Sequence, residues 1–454
     1  MTDAALAKAA DLEVAEELEG PETDNAAVIE PGRTSLLAAF AYRDFRLFWF
    51  GLLVSNTGTT MQMFGQGYLV VQLAIRDGTP QLGALYLGLV GLARAVPGLA
   101  LGLFGGAVAD RADRRRLLLA TQLCALFTAA VLSWRTISGQ VTIVEILLLA
   151  ALNSTIFSFD APTRHAMVPR LVGPRHLVSA IGLNSAAFNG PQIIGPVLGG
   201  LIVVAVGGSS TSPTMAGIGS LFLVNSLSYL AVVVALLLMR PVPLAVRTRD
   251  ASVLESIREG LAYVRRDVIL FWTVAVAVVS ALAARCYIQL LPAFAEHTLR
   301  VGAVELSWML TAAGVGALLG TIATAALGNV RRRGLLLLGG AFLMGLFLVL
   351  FSLQRTLLSA LPLLALVGFA MMIFLGMLNT LLQTGTPDQL RGRVMSMQTV
   401  MMVGLMPLGQ LILGSVGTIV GIDVAILAGG AVLMLVVVYV AIRAPQLREL
   451  RAVV

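Results

Sequence analysis

Between Gly105 and Gln122 the chain reads GGAVADRADRRRLLLATQ, and six of the seven residues from Asp110 to Arg116 are charged. Apolar sequence flanks the cluster on both sides. One chemistry that suits these residue types at this spacing is a charge latch. A carboxylate ends one helix where neighbouring helix N-termini present positive dipole ends, and arginines nearby pair with a carboxylate on another helix. Asp110 takes the first role, Gly106 permits close helix approach, Arg111 adds positive charge, and Arg114 finds its candidate partner in Asp160. The competing reading is topogenic charge that holds a loop inside without switching. It suits Arg115 and Arg116, but it does not ask for an acid at Asp110.

A second set of residues could hold a cargo. Charges inside apolar runs are functional by default. Arg94, in GLARAVPG, sits midway through such a run. Nothing acidic shares its depth: Glu145 lies about 15 Å towards one end and Asp160 about 8 Å towards the other at the helical rise. Arg94 therefore faces a watery cavity, where it can attract an anionic or catechol-like group, or it ties to backbone carbonyls and Asn or Gln side chains. Arg285 is a further candidate for the cavity, or it snorkels or pairs with Glu296 or Glu305. Gln62, Gln66, Asn153, Asn184, Asn189, Gln289 and Asn379 outline a mixed pocket. Gln62 and Gln66 share a helix face, although each polar residue alone also fits a helix–helix hydrogen bond.

A third stretch, GPQIIGPVLGG, runs from Gly190 to Gly200. Pro191 and Pro196 each remove a backbone donor and loosen a helix. Gly195, Gly199 and Gly200 allow a neighbour to approach closely, and Gly316-x-x-x-Gly320 offers a matching small surface. Ordinary membrane-helix packing is the bland alternative. An enzyme reading lacks parts. No phosphate-cradling loop, HExxH or Cys/His cluster appears, Cys124 and Cys286 are isolated in apolar runs, and His165, His176 and His297 fall in loops. We expect no catalytic residues, no metal and no cofactor. No Asp or Glu lies near the centre of a run; Asp160 is the best available carboxylate and Glu145 the second.

The elements that must position these residues follow from composition. Charged residues make up 12% of the 454 and hydrophobic residues 58%, with mean hydropathy +0.90, against about 25% charged in soluble proteins. The chain reads as a multi-pass membrane protein. Spans of about 20 apolar residues fall near 46–75, 82–108, 117–138, 142–162, 177–205, 215–239, 268–293, 305–328, 334–353, 357–384, 395–419 and 424–442. Twelve spans put both termini on one side. Taking that side as cytoplasmic leaves the outside loops only Arg76, Arg135, Arg300 and Arg355, as the positive-inside rule expects. Trp49, Trp134, Trp272 and Trp308 fall near span ends, where aromatic belts form. The net charge is +7, but the basic residues are spread along the chain in small clusters between apolar runs and do not suggest nucleic-acid binding.

The organisation expected is an acidic, disordered cytoplasmic tail over 1–43, a six-helix half over 44–239, a cytoplasmic linker over 240–267, a second half over 268–442 and a short tail over 443–454. The linker contains SVLESIREGLAYVRRD, whose apolar spacing predicts an amphipathic helix on the inner membrane face. DRRRLLL after span two and VRRRGLLL after span eight stand 217 residues apart, from Arg114 to Arg331, and suggest a repeat of the two halves.

Gly106-x-x-x-Asp110-Arg111-x-Asp113-Arg114-Arg115 resembles the loop signature of the major facilitator superfamily, G-x-x-x-D-R-x-G-R-R, in spacing and in its place between spans two and three. Asp113 departs from the glycine of the general pattern, and the C-half copy has no acid opposite Asp110. Gly190 and Gly195-Pro196-x-x-Gly199-Gly200 resemble the superfamily's antiporter motif, associated with exporters, with Pro191 out of pattern. DAPTRHAMVPRLVGPRHLVSAIGLNSAAFN, EGLAYVRRD, LLPAFAEHTL and DQLRGRVMSMQ are similar to the branch of enterobactin-type siderophore exporters and macrolide efflux proteins, over about 44–440.

The resemblance implies an all-α membrane protein of twelve transmembrane helices in two pseudo-symmetric six-helix halves. It implies a secondary active, proton-coupled exporter of small amphipathic molecules (a drug, siderophore or secondary metabolite). The expected partners are a small-molecule substrate, protons and the lipid bilayer, with no nucleic acid. The expected state is a monomer in a bacterial inner membrane, with both termini cytoplasmic. The alternatives are an importer of a small metabolite and a non-transporting membrane receptor or regulator.

Overall fold

The structure is a computed structural model. It describes residues 37–111, 113–209, 213–240, 261–327, 332–387, 390, 392–395 and 404–449, the side chains of 103–111 excepted. Its regular structure is helical. The spanning helices are α1 (Arg43–Arg76), α2 (Gly83–Arg111), α3 (Arg114–Ile137), α4 (Ile143–Met167), α5 (Leu177–Gly207) and α6 (Met215–Leu238). The second set is α7 (Val268–Leu299), α8 (Ala303–Ala326), α9 (Arg333–Ser352), α10 (Leu357–Thr384), α11 (Met406–Val420) and α12 (Ile422–Arg443).

Ten helices among the described residues are long and apolar enough to cross a membrane. The other two have separate reasons to fall short. α11 is a shorter apolar helix because most of its expected first turns, from 396 to 403, lie outside the described residues. α1 has 34 residues, but its middle reads SNTGTTMQMFGQG. That polarity makes sense once its neighbours are known, since this segment lines the central cavity described below.

Contacts repeat with an offset of six helices. α2 packs on α4 as α8 packs on α10, and α3 packs on α6 as α9 packs on α12. The larger contacts between the halves are α5 on α8 and α11 on α2, again one relation used twice. Two six-helix halves related by pseudo-symmetry give this pattern. Large apolar side chains stand on the outer surface, Leu358 at 85% exposure and Ile419 at 83%. Such a surface suits lipid, because lipid tails are as apolar as leucine.

α7 differs from its expected form. It runs on to Leu299 and contains π-helical turns at Ser280–Ala284 and Ala295–Leu299. The Arg285 amide donates to the Ser280 carbonyl, one residue further back than an α-helix would reach. The expected amphipathic linker helix falls largely outside the described residues, with Leu261–Arg266 helical. Residues 1–36, 450–454 and Arg331 of the repeat also lie outside them.

Asp113 has a local explanation. Its carboxylate accepts from the Arg115 and Arg116 amides at 2.9 and 3.2 Å and caps α3. A glycine there would leave those first-turn amides without this acceptor. Arg115 Nη2 donates to the Leu237 carbonyl at 3.0 Å and satisfies the last turn of α6.

Candidate functional site

Three adjoining cavities share lining residues, two of them between the halves and one among the helices of the N half. Met63 of α1 lines all of them, and Thr60, Gln66, Arg94, Gln192 and Gln289 each line two. Together they form one site with two lobes and a throat. The N-half lobe, of about 380 Å³, is walled by α1, α2, α3, α4, α5 and α6. The C-half lobe, of about 580 Å³, is walled by α1, α5, α7, α8 and α10. The throat, of about 180 Å³, lies between α1, α2, α7 and the start of α11.

α1 builds the shared wall through helical spacing. Asn56, Thr59, Thr60, Met63 and Gln66 recur at three- and four-residue intervals and so stand on one face, and all line the N-half lobe. Arg94 projects from α2 into the same lobe. Its Nη2 donates to Gln66 Oε1, while its backbone carbonyl accepts from Ser154 Oγ of α4 at 2.6 Å. Arg94 is thus tied to a glutamine and also lines the lobe. Gln62 Oε1 accepts from Asn225 Nδ2 of α6 at 2.6 Å. Asn153 adds another amide to the lobe. No carboxylate forms an ion pair with Arg94 among the described residues.

The C-half lobe has a different lining. Ile193, Pro196, Leu310, Met371 and Met372 supply apolar surface, and Asn189 and Gln289 are its amides beside Gln192. Of the expected pocket residues, Gln62, Gln66, Arg94, Asn153, Asn189 and Gln289 come together around the two lobes and the throat. Asn184, Arg285 and Asn379 do not line them. Arg285 Nε is buried with no hydrogen-bond partner. Its expected carboxylates are engaged elsewhere: Glu296 accepts from Gln72, and Glu305 Oε2 accepts from the Gly302 amide at the start of α8. Asn56, Thr59, Thr60, Gln192 and Tyr229 were missed by the sequence reading, although the spacing along α1 carried a signal for three of them. Met371 and Met372 carried none, being apolar residues in an apolar helix.

One end of the site is sealed. Gln72 Nε2 donates to Glu296 Oε2 at 3.1 Å across the halves, and Gln410 Nε2 donates to the Leu87 carbonyl at 2.7 Å. A Cβ on Gly88 would strike the Leu411 backbone, and one on Gly414 would strike the Ala84 carbonyl. This end bears Arg76, Arg135, Arg300 and Arg355. Towards the other end, which bears the basic loops, α5 and α8 present exposed polar residues. Asn189 and Thr321 are both exposed and both line the C-half lobe.

The GPxxGG segment spends its glycines on two neighbours. A Cβ on Gly195 would overlap the Thr60 hydroxyl of α1, and one on Gly199 would strike the Phe64 ring. Gly200 meets Ser307 and the Ala303 carbonyl of α8. α5 therefore does contact α8, but not through the expected partner surface. Gly316 and Gly320 face α10, at the carbonyls of Ala365 and Phe369. They point there because α8 and α10 form one of the closest helix pairs, whereas Gly314 is the α8 glycine opposite Ile193 of α5. Pro191 cannot donate to the Ala187 carbonyl, and Asn56 Nδ2 donates to it instead at 2.9 Å. Gly190 lines the C-half lobe.

The charge cluster near the basic end also differs in its pairing. Asp160, 2% exposed, forms its ion pair with Arg164 one turn along α4, not with Arg114. Asp160 Oδ1 accepts from Thr121 Oγ1 at 2.9 Å and Gln122 Nε2 at 2.7 Å, both on α3. Residues four apart on one helix meet more readily than residues on separate helices, and the local pair wins here. Arg114 Nη1 instead donates to the Ala166 carbonyl at the foot of α4, at 3.2 Å. Gly106, Asp110 and Arg111 lie on the last turns of α2, and their side chains are outside the described residues. Glu145 pairs with Arg135 at 2.7 Å at the sealed end. His165, at the end of α4, stacks on Phe188. Among the described residues no cluster of His, Cys, Asp or Glu could hold a metal ion.

A family model described as "Transmembrane secretion effector" matches residues 34–453. The chain is 28% identical over 416 residues to the multidrug efflux pump Tap of Mycolicibacterium fortuitum, covering 89% of this chain and 96% of that one. It is 24% identical over 415 residues to the enterobactin exporter EntS of Shigella boydii serotype 4 (strain Sb227), covering 91% and 92%. Among solved structures it resembles a D-xylose–proton symporter with a TM-score of 0.67 at 14% identity, covering 89% of this chain and 97% of that one.

Proposed function

Because the chain belongs to the transmembrane secretion effector family of the major facilitator superfamily, we propose that it exports small amphipathic molecules by alternating access, with proton entry as the drive. One observation carries this reading: a central cavity of mixed lining, with Arg94 and most of the amides and hydroxyls in one lobe and the methionines of α10 in the other, sealed at one end of the bundle. A mixed lining of that kind suits a molecule with a polar head and an apolar body. Taking the basic loops as cytoplasmic, both termini are inside and the seal faces outward. The cavity then loads from the cytoplasm, as an exporter requires. The efflux pump and siderophore exporter among its relatives support the outward direction.

The halves rock about the two lobes. Gly106, Asp110, Arg111 and Arg114 form the latch at the basic end, with Asp160 as its buried anchor. Asp160 fastens α4 to α3, and Arg114 reaches the foot of α4. Opening outward requires the Gln72–Glu296 bond and the glycine contacts at the sealed end to part. The site is the single chain's own, with a monomer in a bacterial inner membrane as the working unit.

Efflux of an amphipathic dye from energised cells tests this, with Asp110→Asn alongside and a protonophore added to half the samples. We expect efflux by the wild type, and its loss both in the variant and with the protonophore. Efflux that survives the protonophore removes proton drive from the reading. Efflux that survives Asp110→Asn removes the latch. Binding without efflux favours a receptor.

A further inference from the structure

Arg94 is the one charged residue among the described lining of the N-half lobe, set among amides and hydroxyls as well as apolar side chains. The guanidinium of Arg94 has five N–H donors and no acceptor. Gln66 must therefore meet it with its carbonyl oxygen, and it does. That orientation leaves the Gln66 amide NH2 as a donor in a residue that lines the lobe. Gln62 repeats the arrangement: its Oε1 is taken by Asn225 Nδ2, so its NH2 also remains to donate. Two glutamines one turn apart thus turn their acceptors inward and keep their donors for whatever enters. Among the described lining residues of the two lobes and the throat there is no Asp or Glu.

A cation held inside a membrane protein without a counter-ion is expensive. Amide carbonyls offset part of that cost, and an incoming anion offsets more, because charge-assisted bonds are about twice as strong as neutral ones. Arg164, a buried guanidinium of this half, already has its carboxylate in Asp160. Arg94 is left for the cargo. Its planar fork matches a carboxylate, sulfonate or phosphate in two parallel hydrogen bonds.

Resting on the exporter reading above, we propose that the Arg94 lobe seats an anionic group, so that the exported molecule is an organic anion with its apolar body in the C-half lobe. Its charge then assists its own expulsion. A membrane potential of 100 mV, inside negative, favours the outward distribution of a monovalent anion by about fifty-fold.

The test uses the full chain reconstituted in proteoliposomes loaded with carboxyfluorescein, an organic anion, or rhodamine 6G, a cation of the same ring type. Release is followed with and without a potassium diffusion potential, inside negative. We expect the wild type to release carboxyfluorescein faster than protein-free vesicles do, and the potential to accelerate that release. Arg94→Gln should lower the ratio of anion to cation release at least about tenfold, the loss of one charge-assisted contact. Arg94→Lys, which keeps the charge, should retain a preference for the anion. An equal fall of both dyes in Arg94→Gln, in protein that stays monodisperse, would overturn the proposal and leave the exporter reading intact. So would wild-type release of rhodamine 6G without carboxyfluorescein. Release of neither dye counts against the exporter reading itself and takes this inference with it.

Discussion

The two halves share one helix arrangement but are held together differently. In the N half, side chains bridge helices inside the membrane. Asn56 and Thr60 of α1 donate to α5 carbonyls at 2.9 Å each, Ser133 donates to the Gly219 carbonyl at 2.9 Å, and Ser226 donates to the Leu126 carbonyl at 3.0 Å. In the C half, glycines bring backbones together. Gly316 and Gly320 of α8 sit against α10 carbonyls, and Gly368 of α10 sits against the Ala313 carbonyl of α8. The difference follows what each half must hold. A lobe that carries Arg94 needs polar neighbours whose own bonds are satisfied. A lobe lined by Met371 and Met372 relies more on shape, which the glycine seams provide, with Thr324 Oγ1 donating to the Met372 carbonyl at 3.3 Å beside them.

The hardest way to break this comparison is at the N-half charge cluster. Asp160→Asn leaves Arg164 buried without its carboxylate, a loss of about 3–5 kcal/mol. A marked drop in the thermal midpoint of the purified protein is expected, with part of it regained on adding Arg164→Gln. A midpoint unchanged from wild type would mean that the cluster does not hold the N half together.

Next come the seams. Gly368→Ala drives a methyl into the Ala313 backbone carbonyl, which cannot rotate away, and should cost about 2–3 kcal/mol. Gly195→Ala meets the Thr60 hydroxyl, which can rotate, and the Thr60 Cβ, which cannot, and should cost about 1–2 kcal/mol. Thermal unfolding of the two variants side by side ranks them. The reverse order would show that the N-half seam is the stiffer one.

A smaller effect is expected in the C-half lobe. Met371→Ala with Met372→Ala removes apolar contact from the cargo's body and should raise the apparent KM for a transported dye, by a factor equivalent to about 1–2 kcal/mol. The preference between anionic and cationic dyes should stay where it was. A shift in that preference would mean that the lobes do not divide the cargo as described.

The smallest change is Asn56→Ala. It frees the Ala187 carbonyl left over by Pro191 and should lower stability by about 0.6–1 kcal/mol. Cysteine cross-linking of α1 to α5 before and after the change would show whether the seam loosens.

Much of this molecule was legible along the chain. Composition and the spacing of apolar runs determined a membrane bundle, because a bilayer leaves a helix few alternatives. The charge asymmetry of the loops indicated which end of the bundle is basic. The i, i+4 spacing of Gln62 and Gln66 and the isolation of Arg94 pointed to a polar site, because a charge within an apolar run needs a local reason. Which residues meet was decided only in three dimensions. Asp160 chose Arg164 over Arg114, Gly316 and Gly320 chose α10 over α5, and Arg285 took neither expected carboxylate. Residue type and period fix how deep a side chain lies and which face of its own helix it occupies. The neighbour across that face depends on how each helix is rotated and paired, and those are properties of the packed bundle.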